Sequence, residues 1–163
     1  MVVAGFDRYD LVNTPMADEP TFTIWFAGCT HGCKGCQNKL LWDSSKGEHF
    51  SPRELYDLIV KETQQTNIRT VTLLGGEPLQ QNIYELCNLL YHLDISGYTV
   101  WVYTGYDFDE VPKDILEFAD YIKCGRYIEE LRAEEGSFPI TTNQKVYSRA
   151  GGWKPITINK EDV

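Results

Sequence analysis

Between residues 22 and 124 the chain alternates short apolar runs with amphipathic segments, and few folds accept that order. Phe22, Ile24 and Phe26 share one face of a short strand that ends at Gly28. Ser51-Pro52-Arg53-Glu54 opens a helix: Ser51 can cap it, Pro52 suits the first helical position, and Glu54 can reach back to close a capping box. Leu55, Leu58 and Ile59 follow as the inward stripe. Thr70 to Leu74 reads as a second strand, broken by Gly75-Gly76, and a helix from about Gln80 to Leu93 turns Ile83, Leu86, Cys87 and Leu90 to the core. A third strand covers Tyr98 to Tyr103, a weaker helix runs from Pro112 to about Ala119, and Tyr121 and Ile122 begin a fourth strand. Beyond Glu130 the pattern degrades, leaving Lys145 to Tyr147 and Ile156 to Ile158 as late strands around a Gly151-Gly152 turn.

Strand and helix alternating at this spacing predict an α/β protein built of parallel βαβ units. A closed eight-fold barrel needs roughly 200 residues or more, and the chain has 163. The expectation is a partial, open (β/α) barrel in one domain spanning 1–163, with a cysteine-bearing loop at 28–38 and an irregular C-terminal segment from about 130 to 163. In such sheets ligands gather at the carboxyl ends of the strands. Three loops fall there, Gly28 to Cys36, Gly75 to Pro78 and Thr104-Gly105-Tyr106, and all should face one mouth.

Composition narrows the function. The net charge of −9 and a pI of about 4.8 argue against a nucleic-acid partner, which calls for a cationic stripe. Asp107 to Glu135 alone carries a net −6, read either as a solvated helix face or as a docking surface for a basic partner. The longest apolar run, around Phe22 to Cys29, is a strand's worth, far short of the ~18 residues of a membrane span. The first residues, MVVAGFDRYD, lack the basic start and apolar middle of a secretory signal, so a cytoplasmic protein with no membrane contact is expected.

Three of the five cysteines lie within eight residues, Cys29-Thr30-His31-Gly32-Cys33-Lys34-Gly35-Cys36. Thiolates this close repel one another or oxidise unless a metal holds them deprotonated. Zinc, an iron–sulfur cluster and a redox pair are the competing readings. Structural zinc wants four ligands, commonly from two separate knuckles, and a redox pair would use two of the three thiols. A cubane held by three cysteines leaves one iron open, and the spacing favours it. His31 is better suited to donate a hydrogen bond behind the thiolates than to bind metal. Cys87 and Cys124 read as small buried apolar groups. Gly75-Gly76-Glu77-Pro78 joins a strand to a helix; its glycines can expose backbone to a close ligand and Glu77 offers a carboxylate, although a plain tight turn would look the same.

With C-x₃-C-x₂-C after the first strand and Gly-Gly-Glu-Pro after the second, the chain resembles the radical S-adenosylmethionine (SAM) superfamily. The likeness is closest to the activases of anaerobic ribonucleoside-triphosphate reductase. It extends through Tyr9-Asp10-Leu11-Val12-Asn13, Asn38 and Trp42, Trp101-Val102-Tyr103-Thr104-Gly105-Tyr106, Gly125-Arg126-Tyr127 and Asn143-Gln144. Gly35 stands where many of the wider superfamily carry an aromatic residue, as it does in these activases. The chain departs from the family pattern at Thr14-Pro15-Met16, where Gly-Pro-Gly is usual, at Cys124 in place of an aspartate, and at Thr141-Thr142, where an Arg-Gly-Ser is missing.

The resemblance implies that Cys29, Cys33 and Cys36 hold three irons of one [4Fe–4S] cluster, with SAM on the fourth. It implies reductive cleavage of SAM to a 5′-deoxyadenosyl radical, which takes hydrogen from a glycine of the large subunit of the reductase. The electron would come from a flavodoxin-type donor. Gly75, Gly76 and Glu77 would hold the methionine portion, Gly35 and Gln37 would lie near the nucleoside, and His31, Asn38, Thr104 and Tyr106 are further candidates. A small, incomplete barrel has a wide mouth that suits an inserted protein loop. The rival readings are an activase of another glycyl-radical enzyme such as pyruvate formate-lyase, a small-molecule enzyme of the deazaguanine type, and a non-enzymatic zinc module.

Overall fold

The computed structural model describes residues 1–13 and 19–158. Thr14-Pro15-Met16 therefore lies outside the described residues. The strands are β1 (Val2–Asp10), β2 (Thr21–Phe26), β3 (Glu48–His49), β4 (Thr70–Gly75), β5 (Thr99–Tyr103), β6 (Tyr121–Cys124), β7 (Lys145–Ser148) and β8 (Lys154–Ile156). The helices are α1 (Pro52–Thr66), α2 (Ile83–Ile95) and α3 (Lys113–Phe118). One open sheet runs in the order β3-β1-β2-β4-β5-β6-β7-β8. Its centre, β2-β4-β5-β6, is parallel, as the alternation predicts. Antiparallel pairs flank that centre, β1 against β2 on one side and β7 against β6 on the other. The sheet is an open α/β half-barrel.

β1 is absent from the periodicity because its register slips at Val3/Gly5 and at Asp7/Asp10, and because Asp7 and Arg8 break its apolar pattern. Both charges have partners: Trp25 Nε1 donates to Asp7 at 2.8 Å, and Arg8 pairs with Glu62 of α1 at 3.1 Å. At α1 the capping box forms as expected. Glu54 N donates to Ser51 Oγ, Ser51 N donates to Glu54 at 2.7 Å, and Asn67 in the left-handed region closes the far end. α2 begins later than Gln80, because Pro78–Gln80 forms a 3₁₀ turn and Asn82 takes the cap, accepting from Tyr84 N and Glu85 N. Leu86, Leu89, Leu90 and Leu93 then face inward, while Ile83 and Cys87 are half-buried against the core.

The two faces of the sheet differ. Alternate residues of a strand point to opposite sides. Phe22, Ile24, Phe26, Val71, Leu73, Val100, Val102 and Ile122 all turn to the helices and are fully buried with Leu55, Ile59, Leu90 and Ile115. Burial of each such side chain stabilises the fold by about 1.5–3 kcal/mol. The concave face carries Thr21, Thr23, Trp25, Thr72, Trp101, Tyr103, Tyr121 and Lys123. Its polar groups bond sideways: Thr21 and Thr72 hydroxyls lie 2.9 Å apart, and Thr23 donates to buried Asp10 at 2.6 Å. Burial pushes the Asp10 carboxyl up, but hydrogen bonds from Thr23, Asn13 and Val12 outweigh it and hold it below its ordinary value. Trp101 stacks on Tyr121 at 4.1 Å. The cavity opens from this concave face.

The acidic stretch is not one helix face. Asp107 and Glu110 cap a 3₁₀ turn, Asp120 pairs with Arg149 at 2.7 Å, and Glu130 pairs with Lys34 of the cysteine loop at 2.8 Å.

Candidate active site

The cysteine loop leaves β2 through Gly28, whose φ of +97° lies in the region open to glycine. It is tied back by Gly28 N and Cys29 N, which donate to the carbonyls of Leu41 and Trp42 at 2.8 and 3.1 Å. Gln80 clasps it from the next loop, accepting from Thr30 N and donating to the Thr30 hydroxyl, both at 2.9 Å. Cys29, Cys33 and Cys36 are free, half-buried thiols on one cavity of about 530 Å³.

The Gly75-Gly76-Glu77-Pro78 loop crosses directly above this turn. Gly76 N donates to Phe26 O at 2.8 Å and Glu77 N to Gly28 O at 2.9 Å. A Cβ at Gly75 would stand 2.7 Å from Phe26 O, and one at Gly76 would stand 2.6 Å from Gly28 O. Gly75 is therefore demanded by the neighbouring strand and Gly76 by the loop that leaves it, independently of any ligand.

Glu77 is the junction of the site. It is 1% exposed, and its oxygens accept four hydrogen bonds. Oε1 takes Leu79 N at 3.0 Å and the Thr104 hydroxyl at 2.8 Å; Oε2 takes Gly105 N at 2.7 Å and faces His31 Nε2 at 3.0 Å. One carboxylate thus joins the loops after β2, β4 and β5, which is why all three reach the same mouth. His31 thus bonds to the Glu77 carboxylate and lines the same cavity as the three cysteines. Its ring fills the space a Cβ at Gly105 would need and packs edge-on to Tyr106 at 4.6 Å.

Of the residues named from sequence, Cys29, His31, Cys33, Cys36, Gln37, Asn38, Gly75, Gly76, Glu77 and Thr104 line the cavity. Two do not. Gly35 lies under Glu129, whose carboxyl a Cβ there would meet at 2.6 Å, and Tyr106 accepts from Gln80 Nε2 at 3.1 Å beside His31. The cavity also takes in Asn13, Trp25, Trp42, Tyr103, Lys123, Phe138 and Gln144. Asn13, Trp42, Tyr103 and Gln144 stand in motifs quoted above, without a role attached. Lys123 carries no sequence signal beyond its alternation with Tyr121.

The donor set fits an iron–sulfur cluster. Burial raises the Cys29 thiol pKa, and the charges of Glu77, Cys33 and Cys36 raise it further, against one favourable bond from His31 N. Such a set ionises together when bound cations offset the repulsion. Asn38 N points at Cys36 Sγ at 3.4 Å, a hydrogen bond of the kind that tunes cluster sulfurs. Among the described residues no group of three or more His, Cys, Asp or Glu side chains is placed to hold a single metal ion.

Residues 20–147 match the family model described as a 4Fe-4S single cluster domain. The chain is 31% identical over 146 residues to the anaerobic ribonucleoside-triphosphate reductase-activating protein of Salmonella typhimurium, covering 85% of this chain and 92% of that one. It is 29% identical to the protein of that name from Enterobacteria phage T4, over 92% of this chain and 98% of the other. Among solved structures, QueE from Escherichia coli aligns with a TM-score of 0.55 and 21% identity, over 76% of this chain and 70% of that one, a likeness of fold alone.

Proposed function

The chain belongs to the 4Fe-4S single cluster domain family and to its anaerobic ribonucleoside-triphosphate reductase-activating proteins, and from that premise we propose how its residues perform the activation. It is a radical SAM enzyme that makes the glycyl radical of the anaerobic reductase. When bound, the [4Fe–4S] cluster and SAM supply the electron and the carbon radical that removes hydrogen from the reductase glycine.

Cys29, Cys33 and Cys36 hold the cluster on the turn that leaves β2. Gly75 and Gly76 bring the β4 loop against that turn, so the methionine portion of SAM rests on main chain there. Glu77 has four partners of its own, and its part is to lock the cysteine loop to Thr104 and Gly105. Gln37 and Asn38 border the nucleoside from the far end of the cysteine loop. Gly35, outside the cavity, lets that loop turn at a φ of +74°. No side chain needs to move a proton, and Trp25 and Tyr103 line the cavity as an aromatic wall that would exclude water from a bound ligand. The enzyme is a single cytoplasmic domain that receives its electron from a flavodoxin-type donor.

The observation that carries this reading is the meeting of three strand-end loops at Glu77, which puts the three thiolates and the Gly-Gly turn on one cavity. Its test is anaerobic reconstitution with iron and sulfide, followed by reductant, SAM and the reductase. A glycyl doublet in the EPR spectrum is expected, with methionine and 5′-deoxyadenosine as products. A reconstituted protein that holds its iron and sulfide and yields neither product overturns the assignment.

A further inference from the structure

Two polar side chains in the cavity have no part in the activation as described. Lys123 lies on the concave face of β6, half-buried, and no carboxylate among the described residues pairs with it. Aromatic faces surround it instead: its ammonium stands 5.0 Å from the Tyr103 ring centre and 6.0 Å from that of Phe138. Such faces attract a cation but do not satisfy its N–H donors. Burial lowers its pKa from 10.5 to about 8, so it remains mainly protonated at neutral pH.

Gln144 is the second. It is 8% exposed, and its Nε2 donates to Gly125 O at 2.9 Å while its Oε1 has no partner among the described residues. Lys123 pairs with Val146 across the β6–β7 ladder, Gln144 immediately precedes β7, and both side chains line the one cavity. A desolvated ammonium and an unmade acceptor are both costly to keep in a fold. Together they offer a cation and an acceptor to one ligand.

We propose that Lys123 and Gln144 form a subsite for a carboxylate, with the Lys123 ammonium on the carboxylate and Gln144 Oε1 accepting an N–H of the same ligand. The proposal rests on the activase reading in one respect, that it draws the carboxylate from the two ligands an activase holds. One is SAM, whose methionine end carries a carboxylate beside an amine. The other is the glycine-bearing segment of the reductase, which can present an acidic side chain beside its own amides.

The test uses the anaerobically reconstituted enzyme, with iron content and far-UV circular dichroism matched between variants. Calorimetric titration with SAM and with decarboxylated SAM is set beside capture of the reductase at low and high salt. If the carboxylate is that of SAM, Lys123→Met weakens SAM binding by roughly tenfold or more, leaves the decarboxylated analogue unchanged, and Lys123→Arg restores most of the loss. If it belongs to the reductase segment, SAM binding stays level while Lys123→Met weakens reductase capture by a similar factor and flattens its salt dependence. Gln144→Leu lowers the affinity for the same ligand by a smaller factor. Lys123→Met that binds both ligands as tightly as the wild type overturns the subsite. A wild-type enzyme that holds its cluster and binds no SAM strikes at the activase reading instead, and the reductase arm then decides the subsite.

Discussion

The two faces of the central sheet are built from the same four strands to opposite ends. Against the helices Phe22, Ile24 and Phe26 of β2, Val71 and Leu73 of β4 and Val100 and Val102 of β5 all stand at zero exposure. Across the strands from them stand threonines, Trp25, Tyr103 and Lys123, and the carboxyl ends of the strands carry cysteine, glycine and glutamate. The helix-covered face gains stability from area removed from water. The concave face gains little of that kind and keeps polar groups that a better-packed core would exclude. Stability and chemistry are thus separated by the period of two along each strand, and a substitution should reveal which side it sits on.

The sharpest break comes at the strand ends. Cys33→Ala removes one of the three thiols proposed as iron ligands, half-buried on a loop outside the hydrophobic core cluster. The expected outcome is a fall of SAM cleavage to background and loss of most bound iron, with the melting temperature of the iron-free protein unchanged within a few degrees. Iron assay and calorimetric melting check this; a variant that keeps its iron and activity would remove Cys33 from the cluster. On the helix side the effect reverses. Leu73→Ala opens a cavity in the centre of β4 and should cost about 2–5 kcal/mol in urea unfolding, with iron binding intact wherever the fold persists. A loss below about 1 kcal/mol would mean that the helices do not clamp that face.

The same division governs what could be read from the sequence. The helix-covered face was legible because Phe22, Ile24 and Phe26, or Leu55 and Ile59, announce themselves by spacing. The capping box at Ser51 was legible because it is local. The mouth was legible from three Gly-containing loops at strand ends. The concave face was not, since Thr21, Thr23 and Thr72 look like surface residues until a neighbouring strand supplies their partners. β1 stayed hidden for the same reason: Asp7 and Arg8 are satisfied by Trp25 and Glu62, far along the chain. In sequence Glu77 reads as a carboxylate for a ligand, and nothing near it announces that Thr104 and Gly105 donate to it. In sequence Gly75 and Gly76 read as room for a ligand's approach, and nothing there announces that Phe26 and Gly28 approach them as closely.

Lys123 makes the comparison quantitative, because its charge is a cost to the concave face. Its pKa falls to about 8 in the folded chain from an ordinary 10.5. Below pH 8 the ammonium is charged in both states and the cost is fully present. Between pH 8 and 10.5 the folded chain releases the proton first, so stability rises with pH across that window. Lys123→Met should therefore be more stable than the wild type at pH 7 by on the order of 2–3 kcal/mol, the cavity returning part of the charge's hydration. The difference should shrink toward pH 10.5. Urea unfolding at pH 7 and pH 10 measures it, and a variant less stable at pH 7 would show that the aromatic faces more than offset the burial.

The smallest effect is the most telling about how the concave face is held. Thr72 Oγ1 lies 2.9 Å from Thr21 Oγ1, and Thr21 Oγ1 also lies 3.1 Å from Thr70 O. Thr21 can give its proton to that carbonyl while accepting from Thr72. Thr72→Val then removes one donor and leaves no proton stranded, since Thr21 keeps its bond to the backbone. The lost bond, about 1 kcal/mol, is set against a methyl group in a buried position, about 0.8 kcal/mol. The net change should stay within about 1 kcal/mol of zero, against several for Leu73→Ala one residue along the same strand. Denaturant midpoints for the two variants, measured side by side, read the contrast directly. A Thr72→Val loss comparable to that of Leu73→Ala would mean that the hydroxyl ladder, and not the helix contact alone, holds β2 to β4.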